Sequence, residues 1–170
     1  MILLTRCFAI LVAIGAIAIA HPVRWGAVNG GLRLGPRTTK ASNRLPALEV
    51  VIENRGAHEW VIEFPALSGP IQNLQFQVVR NGKTIDVFDT AILKLPNPGF
   101  VQWSQGALTP GEQRRFIIPF DRLICVINRR DVPVREVLTS GYSIRAGFTL
   151  SGATLTTPDI RVRPAHRSCR

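Results

Sequence analysis

From residue 46 onward the chain is a series of short runs in which apolar and polar positions alternate. In residues 48–53, Leu48, Val50 and Ile52 alternate with Glu49, Val51 and Glu53. Successive side chains of a strand point to opposite faces, so a period of two predicts a strand with one buried face. Asn54-Arg-Gly56 ends this run. Residues 59–64 repeat it, with Trp60, Ile62 and Phe64 on one face and Glu59 and Glu63 on the other. Residues 74–79 follow, with Leu74, Phe76 and Val78 inward. Asn81-Gly82 then signals a two-residue type I′ hairpin. That turn pairs Val78 with Ile85 and Phe76 with Val87, which keeps both inward faces in agreement. Residues 115–120 place Phe116, Ile118 and Phe120 inside. Gly141-Tyr142 opens a long strand with Tyr142, Ile144, Ala146, Phe148 and Leu150 on one face, and residues 159–163 close the series.

The intervening stretches are turn-rich. Residues 89–111 contain Pro96-Asn-Pro-Gly99 and Thr109-Pro-Gly111, and residues 121–140 hold room for one edge strand around Cys125. The pattern contains no convincing amphipathic helix and no internal repeat. Seven to nine short strands with turns between them predict an all-β fold, an immunoglobulin-like two-sheet antiparallel sandwich. On this reading Glu49, Glu53, Glu59 and Glu63 form a solvated outer face. Trp60 fills the core, and Tyr142 takes the tyrosine-corner role, its hydroxyl bonding nearby backbone.

The first twenty residues differ in kind. Arg6 is the only charge before residue 24, and an apolar run of fourteen residues, 7–20, follows it. That length suits the core of a signal peptide and is short for a membrane span. Ala18-Ile19-Ala20 is a small-x-small cleavage pattern. Export to a periplasmic or extracellular location is therefore expected, with residues 1–20 as the signal peptide. Residues 21–45 then form a basic irregular segment, in which residues 31–34 could be a short strand. Residues 46–163 form the sandwich and residues 164–170 a basic tail. Of the cysteines, Cys125 and Cys169 remain after cleavage. A lone pair in an oxidising compartment usually bonds, so a Cys125–Cys169 disulfide is one expectation and a buried, inert Cys125 the other.

Charge narrows the functional classes. The chain carries 21 Lys and Arg against 11 Asp and Glu, a net charge of +10. Most of the basic residues are arginine, whose guanidinium fork binds phosphate, sulfate or carboxylate bidentately. Arg145, Arg161 and Arg163 take outward positions on the last two strands, while Arg114 and Arg115 lie on or beside the strand before them. Were these strands neighbours, they would form an Arg-rich stripe that attracts an anionic envelope polymer, lipid headgroups or an acidic envelope protein. Nucleic acid is disfavoured, because no aromatics interleave with the arginines.

The landmarks, in order, are a strand ending in Asn54-Arg-Gly56, the Asn81-Gly82-Lys83 hairpin, Trp103-Ser104, Leu108-Thr-Pro-Gly-Glu112 before an apolar strand, and Gly141-Tyr142-Ser-Ile-Arg-Ala146. Over roughly residues 46–163 this order resembles the immunoglobulin-like domains of bacterial envelope proteins, in particular the family of the Bacillus intracellular proteinase inhibitor. The resemblance implies a non-enzymatic binding or assembly module. Proteinase inhibition would be a special case, with a loop such as 94–106 presented to a protease, and no inhibitory residue carries over.

Catalytic chemistry finds little support. No Gly-x-Ser-x-Gly is present, and no Cys and His stand at metal-ligand spacing. One alternative survives. Cleavage after Ala20 would make His21 the N-terminus, where its α-amine and ring nitrogen together chelate copper. With His58 or His166 as second ligand this would form a copper brace, giving a copper carrier or a copper-dependent oxidoreductase. On the main reading there is no cofactor.

Overall fold

The computed structural model describes residues 22–41, 45–65, 73–93 and 103–162. It is all-β, with twelve strands among the described residues, every ladder antiparallel. The strands are β1 (Leu32–Lys40), β2 (Pro46–Asn54), β3 (Trp60–Pro65), β4 (Leu74–Arg80), β5 (Lys83–Asp89), β6 (Trp103–Leu108), β7 (Gln113–Pro119), β8 (Leu123–Ile127), β9 (Arg130–Pro133), β10 (Ser143–Leu150), β11 (Ala153–Thr156) and β12 (Ile160–Arg161). Two short helices, α1 (Thr90–Leu93) and α2 (Val134–Thr139), complete the set.

Three hydrogen-bonded groups make up a sandwich-like arrangement. A three-stranded sheet runs β1-β2-β7, and β3 and β6 pair with each other. A seven-stranded sheet runs β11-β10-β4-β5-β8-β9, with β12 on β10. Their inward residues meet in one core. Leu32, Leu34, Leu48, Val50, Ile52 and Ile118 come from the small sheet, Ile62 and Leu108 from the β3–β6 pair, and Phe76, Val78, Ile144, Ala146 and Phe148 from the large sheet. Each such Leu, Ile, Val or Phe side chain contributes about 1.5–3 kcal/mol on full burial. The inward faces are those the alternation predicts.

The hairpin at Asn81-Gly82 forms as expected. Both residues have positive φ, 51° and 76°, and the ladder pairs Val78 with Ile85 and Phe76 with Val87. A left-handed pair costs glycine nothing and asparagine little, which is why this dipeptide sets the register.

Several elements depart from expectation. Residues 32–40, taken mostly as irregular, form the full-length strand β1 paired to β2 along its whole length. Pro36 sits in its middle because β1 is a sheet edge, where a missing N–H breaks no ladder. β6 lies in the stretch read as loop, and the single edge strand expected near Cys125 is instead a hairpin, β8–β9, whose turn residues Asn128 and Arg129 both have positive φ. The six-residue α2 buries Val134, Val137 and Leu138 against the core, where no helix was foreseen.

At one corner the chain is pinned by a single side chain. β2 pairs with β7 up to Glu53–Gln113, and β3 pairs with β6 from Trp60–Leu108. Asn54, fully buried, stands where one ladder gives way to the other. Its Nδ2 donates to the carbonyls of His58 and Leu108, both at 2.8 Å, and its Oδ1 accepts from the Gly56 N–H at 2.9 Å. Every polar atom of this buried amide is therefore used, as burial demands. Across from it, the turn Thr109-Pro-Gly-Glu112 closes with the Glu112 N–H donating to the Thr109 carbonyl at 3.0 Å. The Glu112 carboxylate accepts from the Thr109 N–H and hydroxyl, and these bonds hold its pKa below the usual carboxylate value.

Candidate functional site

β2 is the middle strand of its sheet, and its residues from Ala47 to Asn54 are buried on both faces. Glu49 and Glu53, expected on a solvated face, are 3% and 6% exposed. The register explains how they survive there. Arg33 and Arg37 of β1 stand directly opposite Glu53 and Glu49. Arg37 binds Glu49 bidentately, Nε to Oε2 at 2.6 Å and Nη2 to Oε1 at 2.8 Å, which raises its own pKa. Arg33 bonds the Glu53 carboxylate through Nε, and Gln113 and Arg55 approach it at 3.4 Å and 3.9 Å. Burial alone would push the Glu53 carboxyl up; the bonds and charges of Arg33, Gln113 and Arg55 outweigh it and hold the pKa below the ordinary value. Glu59 and Glu63 conform better to expectation: Glu59 is exposed and Glu63 accepts from Gln105 at 3.0 Å.

A segment read as irregular covers this charged face. Residues 22–28 run back along β1, with the Gly26 N–H donating to the Leu34 carbonyl at 2.8 Å. Val23, Arg24 and Trp25 cross over Gly35, so closely that a β-carbon there would lie 2.4 Å from Val23 Cγ1 and 2.8 Å from the Trp25 ring. The Arg33 guanidinium stacks on that ring at 4.1 Å from its centroid. Trp25 is thus a packing residue.

The predicted basic face is divided. Arg114 and Arg115 lie on β7 of the small sheet, while Arg145 and Arg161 lie on β10 and β12 of the large one, so the four do not share one sheet face. Three of them meet carboxylates: Arg114 with Glu112 at 3.5 Å, Arg115 with Glu49 at 3.9 Å, and Arg145 with Asp159 at 2.8 Å. Arg163 lies outside the described residues.

Arg161 is different. It is exposed, forms no ion pair among the described residues, and lines an open cleft of about 800 Å³ where the edge of the small sheet meets β10 and β12. Arg24 and Arg37 reach the same cleft from the covering segment and from β1, as does Asp159. Arg24, like Arg161, is exposed and has no carboxylate partner among the described residues. Sequence reasoning identified Arg161 but not Arg24, which lies far away in the chain and is brought in only by the fold of residues 22–28 over β1.

The remaining predicted sites fall as follows. Trp60 is half-buried and packs against the core as expected. Tyr142 also packs there, with Arg80 over its ring at 5.3 Å, and its hydroxyl makes no hydrogen bond among the described residues. Cys125 is fully buried and forms no disulfide among the described residues, and burial pushes the pKa of its thiol up to about 11. Cys169, and with it the expected bridge, lies outside the described residues. So do His21, His166 and most of the loop 94–106. His58 is exposed in the turn after β2, and its carbonyl, not its ring, is engaged by Asn54. Among the described residues no group of three or more His, Cys, Asp or Glu could hold a metal ion, and no helix is long and apolar enough to cross a membrane.

No family model, curated protein or solved structure matches this chain.

Proposed function

We propose that this protein is an exported, non-enzymatic binding or assembly module of the bacterial cell envelope that engages an anionic partner through its arginines. The observation that carries this reading is how the charges are allotted. Five of the eleven acids, Glu49, Glu53, Asp89, Glu112 and Asp159, are each paired to an arginine within the fold, and the basic residues outnumber the acids by ten. Guanidiniums such as Arg24, Arg130, Arg135 and Arg161 are left exposed without a carboxylate among the described residues. A surface of this kind raises the local concentration of anions and steers them toward it. The apolar leader supports export, and the all-β sandwich-like scaffold offers rigid faces on which such residues can be presented.

The test is retention of the purified protein on isolated envelope fractions. Saturable retention that weakens steadily with added salt is expected, since each exposed ionic contact is screened. Retention that is absent at low salt, or indifferent to salt, would overturn the reading.

A further inference from the structure

Resting on that reading, we infer that the cleft lined by Arg24, Arg37 and Arg161 binds a ligand segment carrying two or more closely spaced phosphoryl groups. Three arginines line this one opening; Arg37 is bidentate on Glu49, so Arg24 and Arg161 bring the unpaired charge, and Asp159 is the one acid among the lining residues. That carboxylate is already engaged, accepting from Arg145 Nε at 2.8 Å. The cleft is thus cationic and offers few competing acceptors.

Its parts are unequally mobile. Arg37 is fixed, because two of its donors hold Glu49 on β2 while its remaining N–H groups stay available. The backbone of Arg24 is seated by the segment that crosses Gly35, and that of Arg161 by pairing of β12 to Ser143 and Ile144 of β10, so Arg37 is the one guanidinium of the three held in place beforehand. Guanidiniums already positioned by a scaffold lose less freedom on binding than free side chains do.

The number of guanidiniums selects the ligand. Within this molecule a single arginine holds each of two carboxylates, Arg122 for Asp89 and Arg145 for Asp159. Several arginines at one opening suit charges in close series, and phosphoryl oxygens accept the guanidinium fork well. The cleft, at about 800 Å³ and open to solvent, is far larger than a single oxyanion and suits a length of chain or a headgroup with its neighbour.

The test uses the purified protein, with tripolyphosphate and phosphatidylglycerol vesicles as probes and poly-glutamate as comparison. One double variant, Arg24→Gln with Arg161→Gln, removes two cleft charges. A second, Arg130→Gln with Arg135→Gln, removes two exposed charges elsewhere. None of the four has an ion pair to lose among the described residues, and unchanged melting temperatures will confirm that both variants fold. Affinity for tripolyphosphate or for the vesicles should fall at least tenfold in the cleft variant and less than about twofold in the other. Whichever probe shows this names the source, a soluble polymer or a lipid surface. Equal losses in the two variants would overturn the cleft while leaving the binding-module reading intact. Poly-glutamate bound as tightly, with the same dependence on Arg24 and Arg161, would overturn the phosphoryl assignment. No binding of either phosphoryl probe would overturn the proposal, and envelope retention would then stand or fall separately.

Discussion

Glu53 shows how much a single position depends on what the fold brings to it. Its carboxylate is 6% exposed yet carries a lowered pKa, because the bonds from Arg33 and Gln113 and the nearby charges outweigh the cost of burial. A carboxyl whose folded pKa lies below its unfolded value stabilises the fold above the unfolded value, near 4.5, and loses that contribution as pH falls through the folded one. The chain should therefore lose stability in acid more steeply than the Glu53→Gln variant. The difference in slope should approach, at most, one proton's worth, about 1.4 kcal/mol per pH unit. Glu112 also has a lowered pKa, but it contributes equally to both chains and drops out of the comparison. The variant should be less stable at neutral pH by about 2 kcal/mol, since Arg33 loses its charged partner in a half-buried setting. Denaturant unfolding from pH 7 down to pH 3 checks both statements; identical slopes would contradict them.

Nothing in the local pattern disclosed this role. Alternation at residues 48–53 identifies which side chains share a face, and the face of Leu48, Val50 and Ile52 was legible for that reason. Alternation is silent on what covers the second face. Here the cover is Arg33 and Arg37, about 12–20 residues away, and their approach is set by the β1–β2 register.

At the scale of elements, legibility followed the strength of local turn chemistry. Asn81-Gly82 determined a hairpin and its register in full. Strand β6, with Ser104, Gln105 and Gly106 at its centre, has no apolar period of its own and exists through pairing to β3. β1 was obscured by Pro36, which an edge strand tolerates. The segment over β1 was the least legible, because its seat depends on one residue having no side chain. Gly35→Ala would set a β-carbon 2.4 Å from Val23 Cγ1 and 3.1 Å from the Arg24 carbonyl, so the segment must lift. The expected cost is about 1–3 kcal/mol, as for other overpacked sites. Tryptic cleavage after Arg24, followed by mass spectrometry over time, should become several-fold faster. A variant cleaved at the parental rate would show that the segment is not seated as described.

For the whole molecule, the consequence is that its charges divide into two populations. One belongs to the fold: Arg33, Arg37, Arg122 and Arg145 hold carboxylates across strands and between elements. The other faces outward, and the part of it that the fold gathers in one place is the cleft between the two sheets. The expectation of a continuous basic stripe failed because β7 and β10 belong to different sheets, something their sequence order cannot reveal. The cleft in turn was invisible in the sequence, since Arg24 and Arg161 lie at opposite ends of the described chain. If this division holds, an anion should find the second population and leave the first alone. The most direct measurement is NMR of the arginine side-chain Nε–Hε groups during titration with tripolyphosphate. Saturable shifts concentrated at Arg24 and Arg161, with Arg33, Arg122, Arg130 and Arg135 nearly unmoved, are predicted; shifts spread evenly over all exposed arginines would contradict the account.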